Sequence, residues 1–398
     1  MTRRRYKILH LITRLDLGGA QQNTLYCCAH HDRSRFAVRL IAGAGGVLDD
    51  EARRLDDVDV RIVPWLKYAV SPASDALALL RLRAQMIRER IDLVHTHSSK
   101  AGLLGRVAAH LAGVPVVVHT AHGWSFNDTQ PVLVRAAYVA LERFAARLTD
   151  RLITVSSRHR RVGLEQGIGT PDGTIVIRSG IDVAAWATPR VERESVRRQL
   201  GIEPHHRLVG CVACLKPQKA PLDFVRAAAA AHAKDTDLRF VIAGDGELRP
   251  AVAAEIGRHG LDGVVRLLGW RRDVADLLHA MDLFLLTSRF EGLPRAVLQA
   301  AASGVPIVAS DVDGTPEVIE HRTSGMLFPP GRPELAAQSV LELLRDAELR
   351  ARCVREARAR LTGEFDIAEM VRRLDRLYLD RLERPVQPAF EGNAIHPV

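Results

Sequence analysis

Between Ser288 and Ser310 the chain reads SRFEGLPRAVLQAAASGVPIVAS, directly after the apolar run DLFLLT at Asp282–Thr287. A short run of bulky apolar residues reads as a buried strand, and Phe290–Leu293 as the turn beyond its carboxyl end. Pro294 suits a first helical position, where its missing N–H costs nothing. Ala296, Val297, Ala300, Ala301 and Ala302 form a compact helix, Gly304 ends it, and Pro306 opens the next strand. Strand, helix, strand in that order calls for parallel strands joined by a crossover helix.

The same alternation extends in both directions. RLVGCVACL, LRFVIAGDG, VVRLLG, MDLFLLTS and GVPIVAS are strand-like, and PLDFVRAAAAAHAK is helical. In the first half, strands fit Lys7–Ile12, Phe36–Ile41, Leu93–His97, Val114–Thr120 and Arg151–Val155. Helices there fit Ala20–His30, Asp75–Arg90, Ala101–Ala112 and Val132–Leu148. The character changes at TIVIRSGIDVAAWATPR, read as a strand, a turn and an extended stretch, before the charged segment VERESVRRQL. The division is therefore an N-terminal Rossmann-like domain (1–182), an inter-domain linker region (183–204) and a C-terminal Rossmann-like domain (205–365). An amphipathic helix (366–384) and a tail (385–398) follow. The helix carries Ile367, Met370, Val371, Leu374, Leu377, Tyr378 and Leu382 on one face. That face packs back on the N-terminal domain, or else serves a membrane surface or a dimer. Doubly wound sheets bind ligands at the carboxyl ends of their strands, so the cleft between the domains is the expected active site.

A chain of 398 residues is long for one core and suits two domains. Its net charge of +9 admits nucleic acid, an anionic small molecule or an anionic membrane surface as partner. The basic residues form no helix or aromatic platform of the nucleic-acid-binding kind, so no nucleic acid is expected. Cys211 and Cys214 have half a metal knuckle's spacing without a second pair, and the five cysteines read as free thiols in a reducing compartment. MTRRRYKILHLITRL has too short an apolar stretch for a signal peptide, and no run approaches membrane-spanning length. The expectation is a cytoplasmic protein, with peripheral contact to the inner face of the membrane admitted.

Several strand ends carry chemistry. The free amides of the helix after GLP suit a phosphate, and Gly292 allows close approach. Glu291 cannot serve the phosphate itself. It either accepts hydrogen bonds from sugar hydroxyls beside it or steadies its helix's first turn. LKPQKAP supplies Lys216 and Lys219, two amines suited to a diphosphate or to a solvated loop. Gly244 and Gly246 in GDGELR make a glycine turn too short for a dinucleotide fingerprint. Gly18 and Gly19 precede a helix, for a ligand on backbone N–H groups or for close helix–sheet packing. VHTHSS and VHTAHGW bring His95, His97, His119 and His122 to one sheet edge. The spacing of the second group matches no usual zinc motif and no companion cysteine or carboxylate cluster stands out, so no metal is assigned. His122, beyond its strand, is placed to donate to a substrate, whereas His95 reads as packed. Asp313 and GTPE also lie at the functional end of a strand.

In order, GGAQ, HTHSSKAGLLGRVAAHLAGVPVVVHTAHG, VIRSGID, LKPQKAPLDF, IAGDGELR and SRFEGLPRAVLQAAASGVPIVASDVDGTPEVI resemble glycosyltransferase family 4 over nearly the whole chain. The resemblance implies the α/β GT-B fold, two doubly wound Rossmann-like domains facing a central cleft with a C-terminal helix crossing back. It also implies retaining transfer from a nucleotide-sugar, a UDP-sugar first, as co-substrate, with no permanently bound cofactor and no metal. His122 would then stand near the transferred sugar, Lys219 at the diphosphate, and Glu291 on the sugar hydroxyls. Gly18 and Gly19 would lie near the donor phosphates, and Gly292, Leu293 and Arg295 around the donor. Three departures stand out. Gln299 replaces the family's second glutamate, which bonds the ribose; Cys214 replaces an arginine, with Lys216 as substitute charge; Ser179 replaces an asparagine.

The acceptor implied is a glycan or a lipid-linked sugar in cell-surface polysaccharide or glycolipid synthesis. Trp65, Tyr68, Trp124 and Phe126, in loops with Arg and Lys nearby, suit such a lipid or an anionic surface, or ordinary packing. A dinucleotide oxidoreductase is disfavoured by the incomplete glycine signature. A non-catalytic or impaired sugar-nucleotide-binding protein and a nucleotide-sugar epimerase of the same fold are the alternatives.

Overall fold

The computed structural model describes residues 4–383. Its first sheet contains β1 (Tyr6–Arg14), β2 (Phe36–Gly43), β3 (Val58–Val63), β4 (Leu93–His97), β5 (Val116–Ala121), β6 (Arg151–Thr154) and β7 (Thr174–Val176). The second contains β8 (Arg207–Val212), β9 (Leu238–Ala243), β10 (Val265–Gly269), β11 (Leu283–Leu286), β12 (Ile307–Ser310) and β13 (Met326–Phe328). The orders are β3-β2-β1-β4-β5-β6-β7 and β10-β9-β8-β11-β12-β13, with all pairings parallel. Each order reverses once, between β1 and β4 and between β8 and β11, which opens a crevice at the carboxyl ends there. This is the GT-B architecture expected from the sequence.

Helices cover both faces of each sheet, so strands such as LFLL at β11 are buried on both sides and show no alternation. β3, which the sequence reading passed over, is an edge strand whose VDVRIV alternates. Asp59 and Arg61 there form an outward ion pair with each other (2.8 Å), and Asp59 also pairs with Arg39 of β2 (2.6 Å). Charged edges of this kind discourage pairing with another chain. The stretch after Asp182, read as extended, begins with a short helix, Val183–Ala187. Asp182 caps it by accepting the Ala185 N–H at 3.0 Å. The charged segment contains the helix Arg193–Gln199, held by Arg193 and Arg197 on Asp282 at 2.5 and 3.0 Å. Val196, Leu200 and Ile202 are buried in the second core.

The last helix, Ile367–Leu382, starts with Asp366 accepting the Glu369 N–H at 2.8 Å. Backbone bonds Ile181 N–H to Phe365 O (2.9 Å) and Ile367 N–H to Ile181 O (3.1 Å) mark where it crosses back. Its Ile367, Met370, Val371, Leu374 and Tyr378 are buried in the first lobe's core. Each such side chain contributes about 1.5–3 kcal/mol. The apolar face is thus spent inside the chain. Residue 384 and the tail at 385–398 lie outside the described residues.

Candidate active site

A cavity of about 580 Å³ separates the two lobes. On the second lobe, β11 runs out at Leu286, and the Thr287 hydroxyl bonds the carbonyls of Lys219 (3.2 Å) and Ala220 (3.1 Å). That tie brings the short turn Pro217–Lys219 against the GLP loop. Lys219 Nζ then lies 2.5 Å from Glu291 Oε1, which also accepts from Ser288 Oγ at 2.6 Å. The Glu291 N–H donates to Asp313 Oδ2 at 2.7 Å, and Ser310 Oγ donates to the Ser288 carbonyl at 2.6 Å. Glu291 is 4% exposed, so this carboxylate is fixed in place before any ligand arrives. Asp313 does not line the main cavity but braces the loop from behind.

The lobes touch through backbone. A Cβ on Gly292 would lie 1.9 Å from the carbonyl oxygen of His122 in the first lobe; within the second lobe, one on Gly314 would lie 2.2 Å from the Gly292 oxygen. No side chain fits either place. Arg295 reaches across the cleft, with Nη1 3.3 Å from the Gly19 carbonyl and 2.9 Å from Gln22 Oε1. Burial lowers its pKa to about 10, which still leaves it a cation at neutral pH. Glu317, which the sequence left without a role, pairs with Arg178 of the first lobe at 2.7 Å and accepts the Arg158 N–H at 3.0 Å.

On the first lobe, Gly18 and Gly19 open the helix Gly19–His30 at the cleft. His122 follows β5, and its Nε2 lies 3.1 Å from His97 Nδ1. Burial, and then the Arg295 charge, bring its pKa down to about 4, so it is neutral at physiological pH. His97 in turn meets His10 of β1, a residue the sequence reading did not connect with the others. His10, His95 and His97 offer ligand atoms within 4.8 Å of one another. Both ring nitrogens of each are already hydrogen-bonded: His10 to His97 and His31, His97 to His10 and His122, His95 to Tyr378 and Thr120. The cluster is a hydrogen-bonded one. Its signal in the sequence was a lone histidine centred in the apolar strand KILHLIT.

His122, Glu291, Lys219, Gly18, Gly19, Lys216, Gly244, Gly292, Leu293, Arg295 and Gln299 all line the one cavity. Gly246 does not; it sits against the Leu215 backbone. Cys214 Sγ lies 3.7 Å from the Leu17 carbonyl, a contact between lobes. Trp124 and Phe126, read as suited to a lipid or to ordinary packing, are 9% and 6% exposed and stack on each other in the core. The Trp124 Nε1–H donates to the His159 carbonyl at 3.0 Å, which satisfies its polar edge. Sequence reasoning also missed Trp270, Arg271 and Arg272, which line the cavity just beyond β10. Their position after LLG, at the carboxyl end of a strand, was the available signal.

The model described as Glycosyltransferase Family 4 matches residues 17–185, and that described as Glycosyl transferases group 1 matches residues 206–346. The UDP-Gal:alpha-D-GlcNAc-diphosphoundecaprenol alpha-1,3-galactosyltransferase of Escherichia coli is 33% identical over 384 residues, 95% of this chain and 98% of that enzyme. The chain is a family 4 glycosyltransferase. This family 4 enzyme is also 30% identical to the alpha-D-kanosaminyltransferase of Streptomyces kanamyceticus, over 71% of this chain and 75% of that one. Among solved structures, Anabaena HepE in complex with UDP and glucose superposes with a TM-score of 0.81. It is 23% identical, with 94% of this chain and 100% of that chain covered, and therefore speaks to the fold. Both lobes of the glycosyltransferase thus have a family counterpart, and the cavity lies between the two matched segments.

Proposed function

We propose that the chain moves a sugar from a UDP-sugar, with retention of configuration, to a hydroxyl of a lipid-linked glycan. The observation that carries this reading is the Lys219–Glu291 pair at 2.5 Å, seated at the end of β11 and facing His122 across the cleft. Lys219, Lys216 and the amides after Gly292 offset the charge that grows on the departing diphosphate. Glu291, its Oε1 already taken by Lys219 and Ser288, turns its remaining acceptor capacity to sugar hydroxyls. A double displacement needs a carboxylate on the opposite sugar face. The reading is instead same-face attack, in which the acceptor hydroxyl passes its proton to the departing phosphate oxygen and His122 orients the sugar. The galactosyltransferase of Escherichia coli, by name a UDP-Gal enzyme acting on a diphosphoundecaprenol-linked sugar, supports both the donor base and the acceptor class.

A membrane-borne acceptor has a second support. The helix Val132–Ala146 exposes Val132 (81%) and Leu133 (83%), with Tyr138, Leu141 and Phe144 further along and Arg143 among them. Among the described residues no helix is long and apolar enough to cross a membrane. This face, not Trp124 and Phe126, is the part of the first lobe suited to lie on an anionic bilayer. Binding and slow-hydrolysis assays with UDP- and GDP-sugars test the donor: saturable UDP-sugar binding with UDP release is expected. Preference for GDP-sugars overturns the base assignment. Co-sedimentation with anionic vesicles tests the surface, and Leu133→Asp should abolish it; equal sedimentation of the variant overturns it.

A further inference from the structure

Behind His122 the first lobe holds an unbroken file of imidazoles. His122 Nε2 lies 3.1 Å from His97 Nδ1, His97 Nε2 lies 3.1 Å from His10 Nδ1, and His10 Nε2 lies 3.0 Å from His31 Nε2. His31 Nδ1 is hydrogen-bonded to Asp375 of the last helix. His10, His31 and His97 are buried, whereas the Asp375 side chain keeps 16% exposure. The file therefore runs from the catalytic cleft to the outer surface of the lobe.

The far end dictates where the protons sit. An ionised carboxylate only accepts, so His31 donates Nδ1–H to Asp375 and its Nε2 must accept from His10 Nε2–H. His10 Nδ1 then accepts from His97 Nε2–H, and His97 Nδ1 accepts from His122 Nε2–H. Four neutral rings hold four protons, and His122 is left with a lone pair on Nδ1. One further proton arriving at that Nδ1 reverses every bond without moving a ring. Each imidazole passes its own proton to the next, and the charge comes to rest as a His31 imidazolium against Asp375.

We propose that this file is a proton relay that carries the proton released by glycosyl transfer from the cleft to Asp375, with His122 as its inner terminus. It rests on the transfer reaction proposed above. There the C1–O bond to phosphate breaks, the C1–O bond to the acceptor forms, and the hydroxyl proton goes first to the phosphate oxygen. The nucleoside diphosphate then ionises, and its proton passes to His122 Nδ1 while the closed cleft excludes bulk water. His31 then passes its Nδ1 proton by way of the partly exposed Asp375 to solvent, which leaves all four rings in the opposite tautomer, and the file resets as each ring turns over before the next transfer.

The surroundings keep charge away from the middle. Burial holds His10 and His97 well below the usual imidazole pKa, and their neighbours add to this: His31 and Arg33 face His10, and His95, His10, His122 and His119 face His97. Arg295 faces His122, and Arg106, paired with Glu142 at 3.0 Å, faces His119. Cys27 and Cys28 of the helix Gly19–His30 and Tyr378 of the last helix are held protonated by burial, Cys27 with a pKa of about 12. His95 stands outside the file, its nitrogens on Tyr378 and Thr120. Among the described residues Asp375 is the one carboxylate hydrogen-bonded to the file.

Histidine 15N NMR of the ligand-free full-length protein reads the tautomers directly, and Asp375→Asn keeps an acceptor for His31 while removing the charge. In the wild type, His10, His97 and His122 should exchange tautomers together as one proton is taken up. In Asp375→Asn that exchange should move down by about one pH unit or more. kcat should fall about tenfold or more with donor KM unchanged, and Asp375→Glu should restore both. A folded Asp375→Asn protein with unaltered tautomer exchange overturns the relay, as does a stoichiometric transition metal on His10, His95 and His97. Because the exchange is read without a donor, exchange intact in a protein that turns over no UDP- or GDP-sugar instead overturns the function proposed above.

Discussion

The two sheets share one winding scheme and have opposite interiors. β11 and β12 bury Leu283, Phe284, Leu285, Leu286, Ile307, Val308 and Ala309, and the functional groups of that lobe sit at the rim, on the loops beyond the strands. β1, β4 and β5 bury His10, His95, Thr96, His97, His119 and Thr120 within the strands themselves. An apolar interior gains stability from burial outright, whereas buried polar atoms cost unless each finds a partner. In the first lobe the side chains largely find it in one another. On the function proposed above, the contrast divides the labour: the second lobe would offer fixed charges to an anionic leaving group, and the first groups that can exchange protons.

The largest effect expected from this division is at the rim of the second lobe. Glu291→Ala should reduce transfer about 10³-fold with little change in thermal unfolding if, as proposed, the residue serves the ligand and not the core. Near-normal turnover by the folded variant would break the assignment. Next comes the seam between lobes. Gly292→Ala places a methyl where the His122 carbonyl already sits, at 1.9 Å, and should lower kcat/KM about 100-fold by shifting the two halves of the site apart. Each lobe should retain its fold by circular dichroism; a normal rate would show that the seam is looser than the backbone contact implies.

The polar interior carries its own signature in pH. His10, His95, His97, His119, His122 and His159 all have folded-state pKa values lowered mainly by burial, His159 to about 4. The unfolded chain binds these protons first, so stability is full above pH ~6.5 and is lost as pH falls toward the folded values. His159 alone should cost about 2 kcal/mol at pH 5. Denaturant unfolding at pH 7.5 and 5 measures the loss, and equal stability would deny the neutral histidine core. The smallest effect concerns Gln299, 7% exposed at the cleft wall. Gln299→Glu should tighten UDP-sugar binding severalfold through a charge-assisted bond to the ribose, as titration calorimetry would detect.

The second lobe was the easier to read. Its strands are unbroken apolar runs, and the Glu291 loop follows one of them at the end where parallel sheets bind, so position and residue type pointed the same way. The Lys219–Glu291 contact joins residues 72 positions apart, and no spacing rule reports such a pair. Nor does spacing reveal Arg295, whose partners Gly19 and Gln22 belong to the other lobe. In the first lobe β3 escaped notice because an exposed, charged edge lacks the continuous apolar run of its neighbours. His10 escaped because a buried polar network is defined by register across strands, and His31 because it caps the end of the helix Gly19–His30, outside any strand. His10 stands opposite His95 in the β1–β4 pairing, and only the assembled sheet supplies that fact.

The crossing of the last helix bears on how the chain is made. Asp375 and Tyr378, which complete the first lobe's histidine network, follow the whole second lobe in the chain and leave the ribosome after it. Until then Phe36, His31 and His95 lack the wall that Tyr378 provides. Synthesis from the N-terminus thus yields an unfinished first lobe that waits for the whole second lobe to emerge, and its histidine core closes only when the crossing helix follows.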